Sequence, residues 1–243
     1  MSDSAALFRR PDLLRLDYDT YRALPAVANS DLSRLRDALD GRPPRTRTAA
    51  ATNEGALSFG TAFHTALLEP ADYVPGQPGL NDTLVWWLVE GVKLNTHLAE
   101  LLEQGTPEVS VLFTESETDT LCKLRADLVV DQPDQPLTII DFKTTMARDA
   151  DHFLWQCSAY DYDRQAAFYT DALRAGRFLL VGVQKVEPFS VFTIEVSEHM
   201  LAEGRQKYQR LLRLLKAPAT APAYRAEAVQ AAIDALGLGQ EEG

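Results

Sequence analysis

Residues 137–145 read LTIIDFKTT, an apolar run into which one carboxylate, Asp141, and one amine, Lys143, are set two positions apart. In a β-strand alternate side chains share a face, so Ile139, Asp141 and Lys143 point one way and Thr138, Ile140 and Phe142 the other. The preceding run LCKLRADLVV, residues 121–130, sorts into Lys123, Arg125, Asp127 and Val129 against Leu124, Leu128 and Val130. Between the two lies DQPDQP, whose Pro and Asp residues suit a turn. A hairpin centred near Asp134 sets Asp127 opposite Asp141, with Arg125 and Lys143 on the same face. Two carboxylates at touching distance repel unless a proton or a cation sits between them. A hard divalent cation such as Mg²⁺ resolves that repulsion, because it prefers oxygen ligands at about 2.1 Å. The amine of Lys143 then has a use: it can orient an attacking water while the cation screens a phosphodiester. The other reading of the pair is an exposed strand-edge salt bridge, worth at most about 1 kcal/mol. An Asp-x-Lys triplet alone does not separate the two.

Working outward, EVSVLFTE (108–115) repeats with period two, so three successive strands are expected before residue 145. RFLLVGVQKVEPFSVFTIEVS (177–197) supplies two more, around the Glu187–Pro188 break. Helical spacing appears in NSDLSRLRDAL (29–39), with Asn29 or Ser30 as N-cap, and in ALSFGTAFHTALLEP (56–70), which carries His64 and stops at Pro70. It recurs over 82–103, over DYDRQAAFYTDALRAG (161–176) with Gly176 as its end, and over 198–215. The order is helices, three strands, helix, two strands, helix, which predicts an α/β layer architecture around a mixed sheet. The expected organisation is an N-terminal arm (1–28), one domain (29–216), and an Ala/Pro-rich C-terminal tail (217–243) with a short helix.

The chain has 243 residues, 46 % of them hydrophobic, enough to fill a sizeable core. It shows no run of about 18 apolar residues and no signal-peptide pattern, so no membrane association and a cytoplasmic location are expected. Two cysteines without a CxxC motif exclude an intrachain zinc knuckle or a four-cysteine cluster. A net charge of −11 argues against a protein that coats nucleic acid nonspecifically, since that mode relies on Lys and Arg displacing counterions. Arginine is nevertheless clustered early, at Arg34, Arg36, Arg42, Arg45 and Arg47. That cluster reads either as a local path for DNA or as a solvated surface arm.

Asp127 ahead of the Asp141–Lys143 pair, each at an apolar run, resembles the PD-(D/E)xK nuclease pattern. The ordered set NSDLSRLRDAL, LSFGTAFHTALLEPADY, CKLRADLVV, IIDFKTT and YDYDRQAAFYTDAL resembles more narrowly the C-terminal nuclease domain of exonuclease VIII (RecE) and related phage proteins, over about residues 20–215. The resemblance implies a restriction-endonuclease-like or λ-exonuclease-like core with a central mixed sheet flanked by helices. It implies metal ligation by His64, Asp127, Asp141 and the Phe142 carbonyl, with Lys143 as the catalytic lysine. Gln165 and Tyr169, at i and i+4 on one helix face, resemble the Q-x-x-x-Y pair that contacts the strand near the cut. Arg125 is expected to hold a phosphate, with Arg34, Arg36, Arg45 and Arg47 as the basic path. Relatives carry a further N-terminal region, so its functions are not expected here. The implied activity is a Mg²⁺- or Mn²⁺-dependent exonuclease acting on double-stranded DNA ends, from 5′ to 3′, as a ring-forming homo-oligomer alongside a single-strand annealing protein. A nicking or structure-specific endonuclease, or a non-catalytic DNA-end scaffold, stands as the alternative.

Overall fold

A computed structural model describes residues 13–42 and 54–216. Arg45 and Arg47, the 43–53 loop and the 217–243 tail fall outside the described residues. The strands are β1 (Val27–Ala28), β2 (Thr106–Glu115), β3 (Thr120–Val130), β4 (Thr138–Thr145), β5 (Arg177–Gln184) and β6 (Val191–Glu195). They form one mixed sheet: β2–β3, β3–β4 and β5–β6 run antiparallel, while β1–β3 and β4–β5 run parallel. The helices are α1 (Tyr18–Ala23), α2 (Asn29–Leu39), α3 (Glu54–Leu68), α4 (Asp82–Lys93), α5 (Thr96–Gln104), α6 (Ala150–Ala159), α7 (Tyr162–Leu173) and α8 (Glu198–Lys216).

The helices cover both faces of the sheet. On one face Leu32, Leu35, Phe153, Phe168 and Leu212 of α2, α6, α7 and α8 pack with Leu124, Ala126 and Ile139. On the other, Phe63, Leu88, Val89 and Leu98 of α3, α4 and α5 pack with Leu128, Ile140 and Phe142. Each fully buried side chain of this size contributes roughly 1.5–3 kcal/mol. The α7–α8 seam is closed by Gly204: a Cβ there would lie 2.0 Å from the backbone carbonyl oxygen of Asp163. Among the described residues no helix is long and apolar enough to cross a membrane.

One feature of the sheet places the site. β2 lies along one side of β3 from Thr120 to Val129, so β1 and β4 must share the other side. β1 takes Cys122 and Lys123; β4 takes Val130 to Leu128 and then separates. Between them the strands fork, and Asp127 and Asp141 stand at the fork, in line with the hairpin register read from the sequence. β3 also changes face there. Leu124 and Ala126 enter one core, Leu128 and Val130 the other. The sequence reading had Leu124, Leu128 and Val130 on a single face, which a regular strand requires. Opposite this switch on β2, Glu108 adopts φ 54°, and the regular alternation is lost.

Four other boundaries differ from the sequence reading. The N-cap of α2 is Ala28, whose N–H donates to the Asp31 carboxylate (2.8 Å), while Asn29 Oδ1 accepts instead from Arg164. The 82–103 helix is two helices, because the Asn95 side chain accepts from Leu98 N–H and starts a new one. α7 ends at Leu173 with Arg174 left-handed, and Gly176 instead lets Pro136 approach within 2.5 Å of where a Cβ would stand. Helix α6 was not anticipated: its buried Phe153, Gln156 and Cys157 give a weak stripe, and packing against Gly182 of β5 decides it. Ahead of α2, Leu14 bridges to Ser110 and the buried ammonium of Lys123 donates to the carbonyls of Tyr21, Arg22 and Leu24, ending α1. Residues 13–28 are thereby pinned to β2 and β3.

Candidate metal and catalytic site

Where β3 and β4 part, Asp127 spans the gap: its Oδ2 accepts from Phe142 N–H at 2.8 Å. From the α3 side His64 reaches the same point, its Nε2 donating to the Phe142 carbonyl (2.9 Å) and its Nδ1 lying 3.5 Å from Asp127 Oδ2. With Nε2 committed as a donor, a neutral ring would aim the Nδ1 lone pair at a carboxylate. Burial disfavours the charged ring, yet the Asp127 charge outweighs it and holds the His64 pKa above its ordinary value. The converse holds for Asp127: burial opposes ionisation, but His64 and then Lys143 keep its pKa below the usual range.

Glu108 completes the cluster and was missed by the sequence reading. One ligand atom each of His64, Glu108 and Asp127 lie within 4.8 Å of one another. Its left-handed φ is the kind of strain that persists at functional positions. Burial, then the Asp127 charge, raises its pKa, against the pull of Arg125. A signal was available: reflecting the β2–β3 hairpin about residues 117–118 places Glu108 across from Asp127, as Val109↔Ala126 and Pro107↔Leu128 show.

Asp141 and Lys143 point to the opposite face, under α7. Asp141 is 1 % exposed; its Oδ1 accepts from Gln165 Nε2 at 2.6 Å. Its Oδ2 is buried and lies 2.6 Å from Lys143 Nζ, so carboxylate and ammonium form an ion pair. Burial pushes the Asp141 carboxyl up to about 6; Lys143 pulls it down and Asp127 pushes it further. The Lys143 ammonium, although desolvated, is held above its ordinary pKa by Asp141 and Asp127, and it sits 5.1 Å over the ring of Tyr162, another residue the sequence reading passed over.

These donors suit a divalent cation. The His64 imidazole and the Glu108 and Asp127 carboxylates offer ligand atoms within 4.8 Å of one another, and the Phe142 carbonyl lies beside them, 2.9 Å from His64 Nε2. Ligands at about 2.1 Å from a common ion stand up to roughly 4.2 Å apart, close to the spread observed. Without a cation, the acids are offset by Lys143, by Arg125 and by His64, whose charged form Asp127 favours.

Of the remaining sequence candidates only Gln165 touches this centre directly, while Arg125 reaches it through Glu108. Gln165 holds Asp141, whereas Tyr169 is buried, edge-on to Phe178. Arg125 is turned away from the Asp127–Asp141 gap, its guanidinium donating to Glu108 and to the Leu16 carbonyl. Arg34 pairs with Asp31, and Arg36 with Asp37 and Asp161.

The fold matches that of a candidate exonuclease from Eubacterium rectale with a TM-score of 0.59 at 16 % identity, over 82 % of this chain and 86 % of that one. A looser likeness links it to a phage-related exonuclease from Haemophilus somnus, at a TM-score of 0.38 and 14 % identity over 87 % and 94 % of the two chains. Among curated proteins none matches the sequence. The PDDEXK-like domain of unknown function DUF3799 matches residues 87–228, more than half of the chain and the stretch that carries Glu108, Asp127, Asp141 and Lys143. The chain therefore belongs to that PDDEXK-like family.

Proposed function

We propose that the chain is a divalent-metal-dependent exodeoxyribonuclease that shortens linear double-stranded DNA from its 5′ ends and leaves 3′ single-stranded tails for phage-type recombination. What carries the reading is the gathering of His64, Glu108 and Asp127 within 4.8 Å of one another at the fork, beside the Asp141–Lys143 ion pair. His64, Glu108, Asp127 and Asp141 would hold a Mg²⁺ or Mn²⁺ ion, with the Phe142 carbonyl beside them. Such an ion supplies Lewis-acid polarisation and screening of the phosphodiester.

The chain's own groups do the rest. Lys143, a firm cation, is placed to donate to the attacking water or to a phosphate oxygen as charge builds there. Gln165 fixes the other Asp141 oxygen, so the carboxylate cannot rotate away from the centre. Arg34 and Arg36, with Arg45 and Arg47, are proposed as the path for the DNA backbone, and Arg125 as a steadying charge behind Glu108. A ring of several copies that encloses its substrate would hold DNA without a strongly basic surface, and it would work with an annealing partner in the cytoplasm.

The test uses linear and covalently closed circular duplex DNA, labelled at 5′ or 3′ ends, with Mg²⁺ and with chelator. Metal-dependent loss of linear DNA alone, the 5′ label first, is expected. Cleavage of circles would make the protein an endonuclease, and DNA bound but intact would make it a scaffold. Gel filtration at micromolar concentration is expected to give a mass of several chains; a single-chain mass would exclude the ring.

A further inference from the structure

Beside the metal site, on the Asp141 face, α2 and the α6–α7 junction enclose a groove of about 610 Å³. Its floor includes Gln165, the residue that grips Asp141, so groove and site are continuous. One side is α2 and its C-terminal end, with Ser30, Ser33, Arg36, which pairs with Asp37 and with the groove-lining Asp161, and Arg42, which pairs with Asp37 and Asp40. The other is aromatic, with Tyr160 and Tyr162. Tyr160 is 55 % exposed, high for so large an apolar surface beside a polar groove. Its backbone is firmly held nonetheless. It caps α6 by donating to Gln156 O, and α6 is fixed by Phe153 against Gly182 and by Thr145 Oγ1 donating to Gln156. The Tyr160 and Tyr162 ring centres are 5.9 Å apart, and the Lys143 ammonium lies over Tyr162. An unbroken series thus runs from a solvent-exposed ring to the catalytic amine.

Exposed aromatic rings beside a wall whose outermost arginine, Arg42, is 58 % exposed resemble the arrangement that binds single strands: charge tracks the backbone, and rings stack bases. The groove has the volume of a small-molecule site, which admits a strand but not a duplex. Resting on the nuclease reading above, we infer that this groove seats the unpaired end of the strand being cut, with a base stacked on Tyr160. Because every base has a π-face, the contact is indifferent to sequence. Tyr160 is a positioning residue: it holds the strand so that the phosphodiester reaches Lys143.

The experiment is binding, in chelator, of a short single-stranded DNA carrying 2-aminopurine, alongside the same strand with an abasic site in its place. The expected result is quenching of the 2-aminopurine by the wild type and by Tyr160→Phe, with quenching lost and affinity about tenfold weaker in Tyr160→Ala at unchanged Tm. The abasic strand should bind wild type as weakly as the intact strand binds Tyr160→Ala. With Mg²⁺ and frayed duplex ends, Tyr160→Ala should raise KM more than it lowers kcat, and Tyr160→Phe should restore both. Equal affinity and quenching in wild type and Tyr160→Ala would overturn the inference even if the protein cuts DNA. Tyr160-dependent stacking by a wild type that never cuts would uphold it and overturn the nuclease reading. Absence of single-strand binding by the wild type would overturn it as well.

Discussion

Two of the charge clusters among the described residues are built oppositely. Where α2, α7 and α8 meet, Asp161 is shared by Arg36, Arg164 and Lys207, and Lys207 also grips both oxygens of Asp163. The fully buried Arg164 guanidinium spends its donors on Asn29, Ser33 and Asp161. That network is closed: cations match acids, and the charges brace three helices. At the β3–β4 fork, Glu108, Asp127 and Asp141 outnumber the permanent cations Lys143 and Arg125, and Asp127 favours the charged form of His64. A balanced network holds a fold together; an acid-rich one is held by the fold and suits a cation.

Single substitutions should divide along this line. Lys143→Ala is expected to lower cleavage of linear DNA by about three orders of magnitude, roughly 4 kcal/mol of transition-state stabilisation, with DNA binding kept. Undiminished turnover would remove the site assignment. Arg164→Ala should do the reverse: lose about 3–4 kcal/mol of stability by leaving Asp161 short of a partner, visible as a drop in denaturation midpoint. A loss of activity at full stability would erase the contrast. Gly204→Ala, on the same seam, is expected to cost about 1–3 kcal/mol by forcing α8 off α7.

The fork should also respond to pH in a way the closed network does not. The folded Asp141 pKa, about 6, exceeds its ordinary value of 3.8, so without metal the folded state loses stability as pH rises from about 4 to 6. His64 is raised above 6.5; its contribution is full below that value and is lost as pH climbs through the higher folded one. Asp127, depressed below 3.8, acts only at lower pH. Ligation needs these groups without protons, so the Tm gain from saturating Mg²⁺ should grow between pH 5 and pH 8, by the equivalent of about 1–2 kcal/mol. A gain independent of pH would mean that neither group binds the ion. Asp141→Asn should abolish most of the Mg²⁺ response; unchanged calorimetric traces would count against it.

Much of this was legible in the chain. Period-two runs ending in Asp127 and Asp141–Lys143 predicted the strands and the hairpin register, because side-chain alternation and a short turn leave little freedom, but not that Asp127 turns to His64 while Asp141 turns to Gln165. Local pattern could not reveal α6, whose hydrophobic stripe is thin, nor the break at Asn95, where a capping side chain overrides a continuous helical period. Alternation put Arg125 among the acids, and it does pair with one, but the pattern of β3 alone could not name Glu108 of β2 as the partner.

The sequence by itself determined which residue types carry the chemistry and the order in which they come, since composition and short-range periodicity depend on near neighbours alone. Only the tertiary structure decided which of them meet. Glu108 joins His64 and Asp127 because three separate elements converge, and Tyr160 borders the strand groove because α6 packs on Gly182. Such meetings depend on long-range packing, where the burial of two cores outweighs local preference, and no window of sequence contains them.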